Sequence, residues 1–468
     1  MAQPPLGAMG NVMSSQDSKD LWTSNLGFVL ATAAAAIGLG SLWRFPYVAG
    51  ANGGGAFVLV YMLFIAALCV PLMIAEMSIG KAGMGSVVGS IRRLVAEENA
   101  SPFWRVIGWL SLAVPFFGLS YYSVVAGWAL DYTRVAIAQG FAGTDADASR
   151  HLFETLIGSP WRQGAMQFTF IMGTATVVAL GVQRGIEIVS RIKMVAMFTV
   201  LIGLVLYNAM TVGLGPAVDF LIAPDFARLT PASLLTAMGQ ALFSTAIGAG
   251  VLMTYAAYLP AGVSVPKSAG VVAGAVVVVS LLAGLAIFPI VLAHGLTPAE
   301  GPNLIFVTLP VAFGAMPGGR FISALFFGLI TLGAFTTAVG MLEPVAAYWL
   351  ERKKLARPLV AYGTGLAVWM VGLPSLLSFS TLKHVHPLAF IPGFGGKTFF
   401  DTLDHGISEF LLPINALLIA LFAGYALRRR LSASETTLSP ALHSVWRLFT
   451  TAIVPLAILV LMISQLTR

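Results

Sequence analysis

The sequence predicts an all-α integral membrane protein. Of its 468 residues, 58% are hydrophobic and only 10% charged, whereas a soluble domain carries roughly 25% charged residues. Mean hydropathy is +0.88. Apolar runs such as Leu63–Met73, Met194–Leu206 and Val271–Phe288 recur along the chain, each within a stretch that can supply the ~20 residues a helix needs to cross a hydrocarbon core.

Taken in order, residues 1–20 are polar and rich in Gly and Pro. They lack a basic stretch followed by a short apolar core, so no cleaved signal peptide is expected and the segment reads as a cytoplasmic N-terminus. Eleven membrane helices follow, at about 24–50, 54–79, 102–138, 164–183, 186–212, 232–259, 267–296, 321–351, 358–378, 399–429 and 441–466. The loops 139–163, 213–231, 297–320 and 379–398 carry Pro, Gly and aromatic residues and are expected to hold short structured caps. Cys69, the single cysteine, lies in an apolar run and reads as a small core residue.

With the N-terminus in the cytoplasm, Lys19, Lys81, Arg92, Arg93, Arg184, Arg191, Lys193, the Arg352–Arg357 cluster and Arg428–Arg430 all fall on the inner side, as the positive-inside rule requires. The formal charge of +7 is thereby explained as topology, and no nucleic-acid partner is expected. An odd number of helices places the C-terminus outside.

Two segments break the helical pattern. Ala36-Ile37-Gly38-Leu39-Gly40 lies in the first helix and Ala246-Ile247-Gly248-Ala249-Gly250 in the sixth. Matched Gly-rich interruptions five helices apart imply two five-helix repeats of inverted topology, 21–212 and 232–429. The loop 213–231 lies between them, and a further loop and helix occupy 430–468. Such pairs point to a central binding site, because unpaired backbone at membrane depth is tolerated only where protein buries it or a cavity takes it up. The alternative is that Gly38 and Gly40 only permit close helix packing. Two readings stay open for Arg44, a charge that snorkels to the interface or one that pairs across a vestibule. Glu76 is either an acceptor for freed N–H groups or a boundary residue. Asn52-Gly53-Gly54-Gly55 is a turn and not a phosphate loop, since no Lys-Ser/Thr follows.

The segment Trp22 to Gly80, with Gly-Leu-Gly-Ser-Leu-Trp-Arg-Phe-Pro-Tyr and Asn-Gly-Gly-Gly-Ala-Phe, resembles the sodium:neurotransmitter symporters. The likeness continues through Tyr121-Tyr122, Gly239-Gln240, Tyr255, Ala283–Pro289 and Thr336-Thr337. It implies the LeuT-like fold, a 5+5 inverted repeat plus one extra helix, in a bacterial inner membrane. It also implies one sodium site, built from the carbonyls of Ala34, Ile37 and Gly333 and the hydroxyls of Thr336 and Thr337; otherwise the two threonines merely bond back to their own helix. A second sodium site of the family is degraded, with Ser41 and Val276 (or Ala275) where the family has Asn, leaving the Ala36 carbonyl and Ser244. Tyr61, Gln240, Ser244 and Ser280 match the family's chloride positions, although a plain hydrogen-bonded polar cluster accounts for them equally.

For the substrate the resemblance points to Ala36, Gly40, Gly118, Tyr122, Phe243, Ser244, Ala246, Ala249 and Met341. Tyr122 would donate to a carboxylate and Phe243 would cover the pocket. Gly118 and Ala249 leave room for a bulky hydrophobic or aromatic side chain. Arg44 with Asp404 would form an outer gate above Phe243 and Tyr122, and Lys19 with Glu351 an inner one near Trp22 and Tyr258. The expected function is sodium-coupled symport of a neutral amino acid by alternating access, with one intact sodium site and no enzymatic chemistry. Proton coupling through Glu76 or Glu343, chloride assistance, and a channel or non-transporting binder on the same fold are the alternatives. Membrane lipid surrounds the protein, and the sequence leaves its oligomeric state open.

Overall fold

The computed structural model describes residues 21–260, 262–293, 295, 303–391 and 393–466. Lys19, and with it half of the expected inner gate, lies outside the described residues, as does the segment 1–20. What is described is helical. The chain runs through α1 (Asn25–Ala36), α2 (Gly40–Ala51), α3 (Gly55–Gly83), α4 (Val87–Glu97), α5 (Pro102–Ala138), α6 (Ala146–Ile157), α7 (Pro160–Ala179), α8 (Val182–Thr211) and α9 (Gly215–Ile222). It continues with α10 (Pro231–Ser244), α11 (Val251–Ala257), α12 (Val265–Ala293), α13 (Leu304–Ala315), α14 (Gly319–Lys353), α15 (Arg357–Leu377), α16 (Phe399–Ala426) and α17 (Pro440–Gln465).

Among the described residues, 8 of these helices are long and apolar enough to cross a membrane, and α1 with α2 form one further span bent by 54°. The two other expected spans exist as helices but do not reach that length or hydropathy. They are α7, which is more polar, and the pair α10–α11, which is interrupted. Three of the four long loops contain helices, α6, α9 and α13.

Local chemistry starts the helices where the sequence offers caps. The side chains of Ser24, Ser159 and Thr230 accept N–H bonds from Gly27, Arg162 and Ser233 at the starts of α1, α7 and α10, with proline in the first turn of α7 and α10. The central layer is made of α1–α2, α3, α10–α11 and α12, and α5, α14 and α15 pack together beside it.

The two breaks meet at its middle. At the second, Ala246, Gly248 and Gly250 all have positive φ (52°, 81° and 70°). A Cβ on Gly248 would stand 2.6 Å from the Leu412 carbonyl oxygen, and one on Gly250 would stand 2.5 Å from that of Ser111. Close backbone approach and left-handed φ both require glycine there. The freed groups are satisfied from neighbours: Gly248 N–H donates to Glu76 Oε2 (2.9 Å), and the Gly248 carbonyl accepts from Asn415 Nδ2 (2.7 Å). Glu76 therefore serves the broken helix and is no boundary residue.

One expectation is corrected outright. Lys193, counted with the basic residues of the inner side, is not one of the charges exposed there. It is fully buried within α8, which begins at Val182, about three turns earlier.

Candidate functional site

Between the two breaks lies a small chamber of about 60 Å³. Ala36, Gly40, Gly118, Tyr122, Phe243, Ala246, Ala249 and Met341 all line it. Ser244, the remaining substrate candidate, does not. Its buried hydroxyl accepts from Gln240 Nε2 at 2.8 Å behind the wall. Among the described residues, no acidic side chain lines the chamber. The Leu39 N–H donates to the Tyr122 hydroxyl oxygen at 3.4 Å, and the hydroxyl keeps a proton of its own to donate. A Cβ on Gly118 would meet the Met341 Cε at 2.7 Å, so the space opened by this glycine is bounded by a flexible methionine that can yield.

Above the chamber a vestibule of about 390 Å³ is lined by Trp43, Arg44, Tyr47, Tyr121, Phe400 and Asp404, among others, and shares Tyr122 and Phe243 with the chamber. Arg44 and Asp404 are both in it, but among the described residues they form no ion pair. The Arg44 guanidinium lies 4.5 Å over the Phe243 ring, an arrangement favoured by the ring quadrupole, and Asp404 accepts from the Ser408 hydroxyl at 3.2 Å.

The opposite end of the site is closed. Trp22 packs against Tyr255 and Tyr258, its indole N–H donates to the Tyr255 carbonyl (2.8 Å), and its backbone N–H donates to the Tyr258 carbonyl (3.2 Å). Beside it the Arg357 guanidinium donates to both oxygens of buried Glu343 (2.7 and 2.6 Å), which also accepts from Tyr258. Glu351 accepts from the Ser86 backbone N–H at 2.7 Å. The resemblance had put Trp22 and Tyr258 beside the inner gate; the Arg357–Glu343 pair was not foreseen. The site is thus open by way of the vestibule and sealed toward the basic residues.

The residues that the resemblance assigns to sodium are together, but in an arrangement the sequence reading did not foresee. Thr336 Oγ1 donates to the Ala34 carbonyl (2.9 Å) and lies 3.5 Å from that of Gly333, and Thr337 Oγ1 donates to the Ala35 carbonyl (2.9 Å). Lys193 Nζ, reaching in from α8, donates to the carbonyls of Ala34 (3.0 Å) and Ile37 (2.5 Å). Ala34 thus accepts two donors, which uses both lone pairs of its oxygen. A sodium ion on the same carbonyls would compete with the lysine nitrogen for their lone pairs, and two unit charges about 4 Å apart repel by about 4 kcal/mol at an effective dielectric of ~20. These residues do not fit a bound sodium ion. A signal for Lys193 was present in the sequence: Ser190, Lys193, Met194, Met197, Leu201, Leu204 and Asn208 form a stripe of helical spacing, all buried, and Arg191, off that stripe, is 58% exposed.

At the other family ion positions, Ser41 is fully buried with its Oγ unpartnered, and Val276 and Ala275 offer only methyl groups. The chloride candidates do cluster. Tyr61 and Ser280 hydroxyls are 3.2 Å apart, and Gln240 Nε2 donates to Ser244 and to the Gly40 carbonyl. The buried atom left without a partner in that cluster is an acceptor, Gln240 Oε1, which an anion does not satisfy.

Comparison with known proteins gives one consistent answer. The chain is 37% identical to the uncharacterized sodium-dependent transporter YhdH of Bacillus subtilis (strain 168), over 95% of this chain and 97% of that one. It is 28% identical to an uncharacterized sodium-dependent transporter of Haemophilus influenzae, over 97% and 99%. The crystal structure of MhsT in complex with L-phenylalanine superposes with a TM-score of 0.86 at 35% identity, covering 95% of this chain and 99% of that one. The model of the sodium:neurotransmitter symporter family matches residues 19–151 and 162–468. With its two matched helix breaks around one chamber, the chain belongs to the sodium:neurotransmitter symporter family.

Proposed function

We propose that the protein carries a neutral amino acid, bulky hydrophobic or aromatic, across the membrane by alternating access. The observation that supports this most is the acid-free chamber between the two breaks, reached from one side and sealed on the other. A zwitterion fits its chemistry. The carboxylate would take the Tyr122 hydroxyl and the N–H groups at the start of α2, and the side chain would lie between Gly118, Ala249 and Met341. Binding would draw Phe243 over the chamber and bring Arg44 off its ring toward Asp404, closing the vestibule. Release of Trp22 and of the Arg357–Glu343 pair would then open the far end. Ligand shifts these states only through its differential affinity for them. The amino acid in the MhsT complex is L-phenylalanine, which makes it the first ligand to try.

The bacterial relatives are described as sodium-dependent, and sodium is accordingly the first ion to test. No step is assigned to sodium at Ala34 and Ile37, where Lys193 is bound. A channel is disfavoured by the seal at Trp22. The test is counterflow: proteoliposomes preloaded with unlabelled L-phenylalanine should take up the labelled compound without any ion gradient. Thermal-shift measurements over the common amino acids should show stabilisation by aromatic and branched ones, since a ligand of the folded state raises its stability. Absence of both counterflow and stabilisation for every amino acid would sink the reading.

A further inference from the structure

A cavity of about 390 Å³ lies at the basic end of α3, apart from the chamber and the vestibule. Ser78, Lys81 and Ala82 form one wall, and residues 429–432 form the other. The spacing i, i+3, i+4 puts the first three on one face of the last turns of α3, and the other four lie in the turn that follows α16. Three of the lining side chains are cationic, Lys81, Arg429 and Arg430, and among the described residues no acidic side chain lines the cavity. Arg430 Nη1 donates to Glu97 Oε2 at 2.5 Å, and Lys81 Nζ donates to the Val263 carbonyl at 2.9 Å. Each keeps further N–H donors to offer. Among the described residues the Arg429 guanidinium has no ion-pair partner. Ser78 is 6% exposed, and its hydroxyl has no hydrogen-bond partner. A buried hydroxyl left so is costly. One water would satisfy it, but would leave the three cations with Glu97 as their one bonded counter-charge.

We propose that this cavity binds one phosphate group, supplied by the headgroup of an anionic lipid in the leaflet at the basic end. The donor set has the chemistry such a group needs. Arg429 brings a planar fork that matches two phosphate oxygens, and Lys81 brings a compact charge. Ser78 donates its hydroxyl proton to a further oxygen and is thereby satisfied. Basic pockets between membrane helices take lipid headgroups in this way. Position favours a lipid over free phosphate as the source. Lys81 lies in the last turn of a membrane-crossing helix. Tyr425, before the turn, and Leu442 and Val445, at the start of α17, are exposed and present apolar surface to acyl chains. A headgroup seated there joins α3, the loop after α11 that Lys81 already holds through Val263, and the turn that leads to α17. It does so without touching the substrate chamber.

The test is native mass spectrometry of the purified full-length protein in detergent, titrated with phosphatidylglycerol and, separately, with phosphatidylcholine, whose headgroup carries no net charge. The wild type should retain one phosphatidylglycerol per chain at concentrations where phosphatidylcholine is not retained. Arg429→Gln should weaken the affinity roughly tenfold or more, the factor that a lost hydrogen bond to a charged group commands. Ser78→Ala, which changes no charge, should weaken it severalfold. Arg184→Gln, at an exposed basic residue outside the cavity, should leave it unchanged. Equal weakening in Arg184→Gln would mean diffuse attraction to a basic surface and would overturn the site, as would full affinity in both Arg429→Gln and Ser78→Ala. Thermal denaturation without lipid separates folding from binding, and the midpoints of these variants should match the wild type. Inorganic phosphate distinguishes the source: if it raises the wild-type midpoint while phosphatidylglycerol is not retained, the lipid is overturned as the ligand.

Discussion

At the scale of single residues, buried polar atoms and close contacts carry the argument. Glu76 is fully buried and gives the broken helix an acceptor for Gly248 N–H. Glu76→Ala removes that acceptor and leaves the amide unpaired, which should cost about 1–3 kcal/mol. Glu76→Gln keeps an oxygen acceptor and should recover much of the loss. Thermal denaturation of the two variants in detergent checks the difference. Gly118 and Met341 face each other across the chamber, with a Cβ on the first meeting the Cε of the second at 2.7 Å. Gly118→Ala should therefore push Met341 into the chamber and weaken binding of aromatic amino acids more than of alanine. Gly118→Ala combined with Met341→Ala should restore it. Equal weakening for all amino acids would show that the chamber wall does not sort substrates here.

At the scale of elements, the swing of α1 is held by contacts of modest and separable strength. Trp22 contributes an indole hydrogen bond, worth about 1 kcal/mol, and edge contacts with Tyr255 and Tyr258 of a similar order. Trp22→Ala should shift the balance toward the state open at the basic end by roughly five- to thirtyfold, the factor that 1–2 kcal/mol commands. Labelling of a reporter cysteine at Thr23 measures this, because Cys69 is the chain's single cysteine and is buried. An unchanged labelling rate would place the seal elsewhere, in the Arg357–Glu343 pair. The break of α10–α11 differs in kind. Its groups are bonded to side chains of α3 and α16, Glu76 and Asn415, so it reads as a fixed wall against which α1–α2 moves.

At the scale of the whole molecule, the asymmetry between a vestibule at one end and a bonded seal at the other is the feature that a carrier needs and a pore lacks.

Composition and apolar run length determined that the chain is a helical membrane protein, because hydrocarbon leaves no other way to satisfy so much backbone. The Gly-rich interruptions at 36–40 and 246–250 located the chamber, because glycine is required where backbone leaves the helix and neighbours approach within contact distance. Eight of the nine substrate candidates line one chamber for that reason. What the sequence left undecided depends on which face a side chain presents and on what sits across from it. Counting charges placed Lys193 with the basic residues of the inner side, since the positive-inside rule registers a residue's position in the chain and not its helical phase. Only the packing of α8 against α1 turned that lysine inward onto the carbonyls of Ala34 and Ile37. Likewise Arg44 and Asp404 share a vestibule without pairing, and the seal at Trp22, Tyr258 and the Glu343–Arg357 pair joins residues from three distant parts of the chain. Contacts of that kind are set by the tertiary arrangement, because the distance between two helices is not encoded in the pattern of either one.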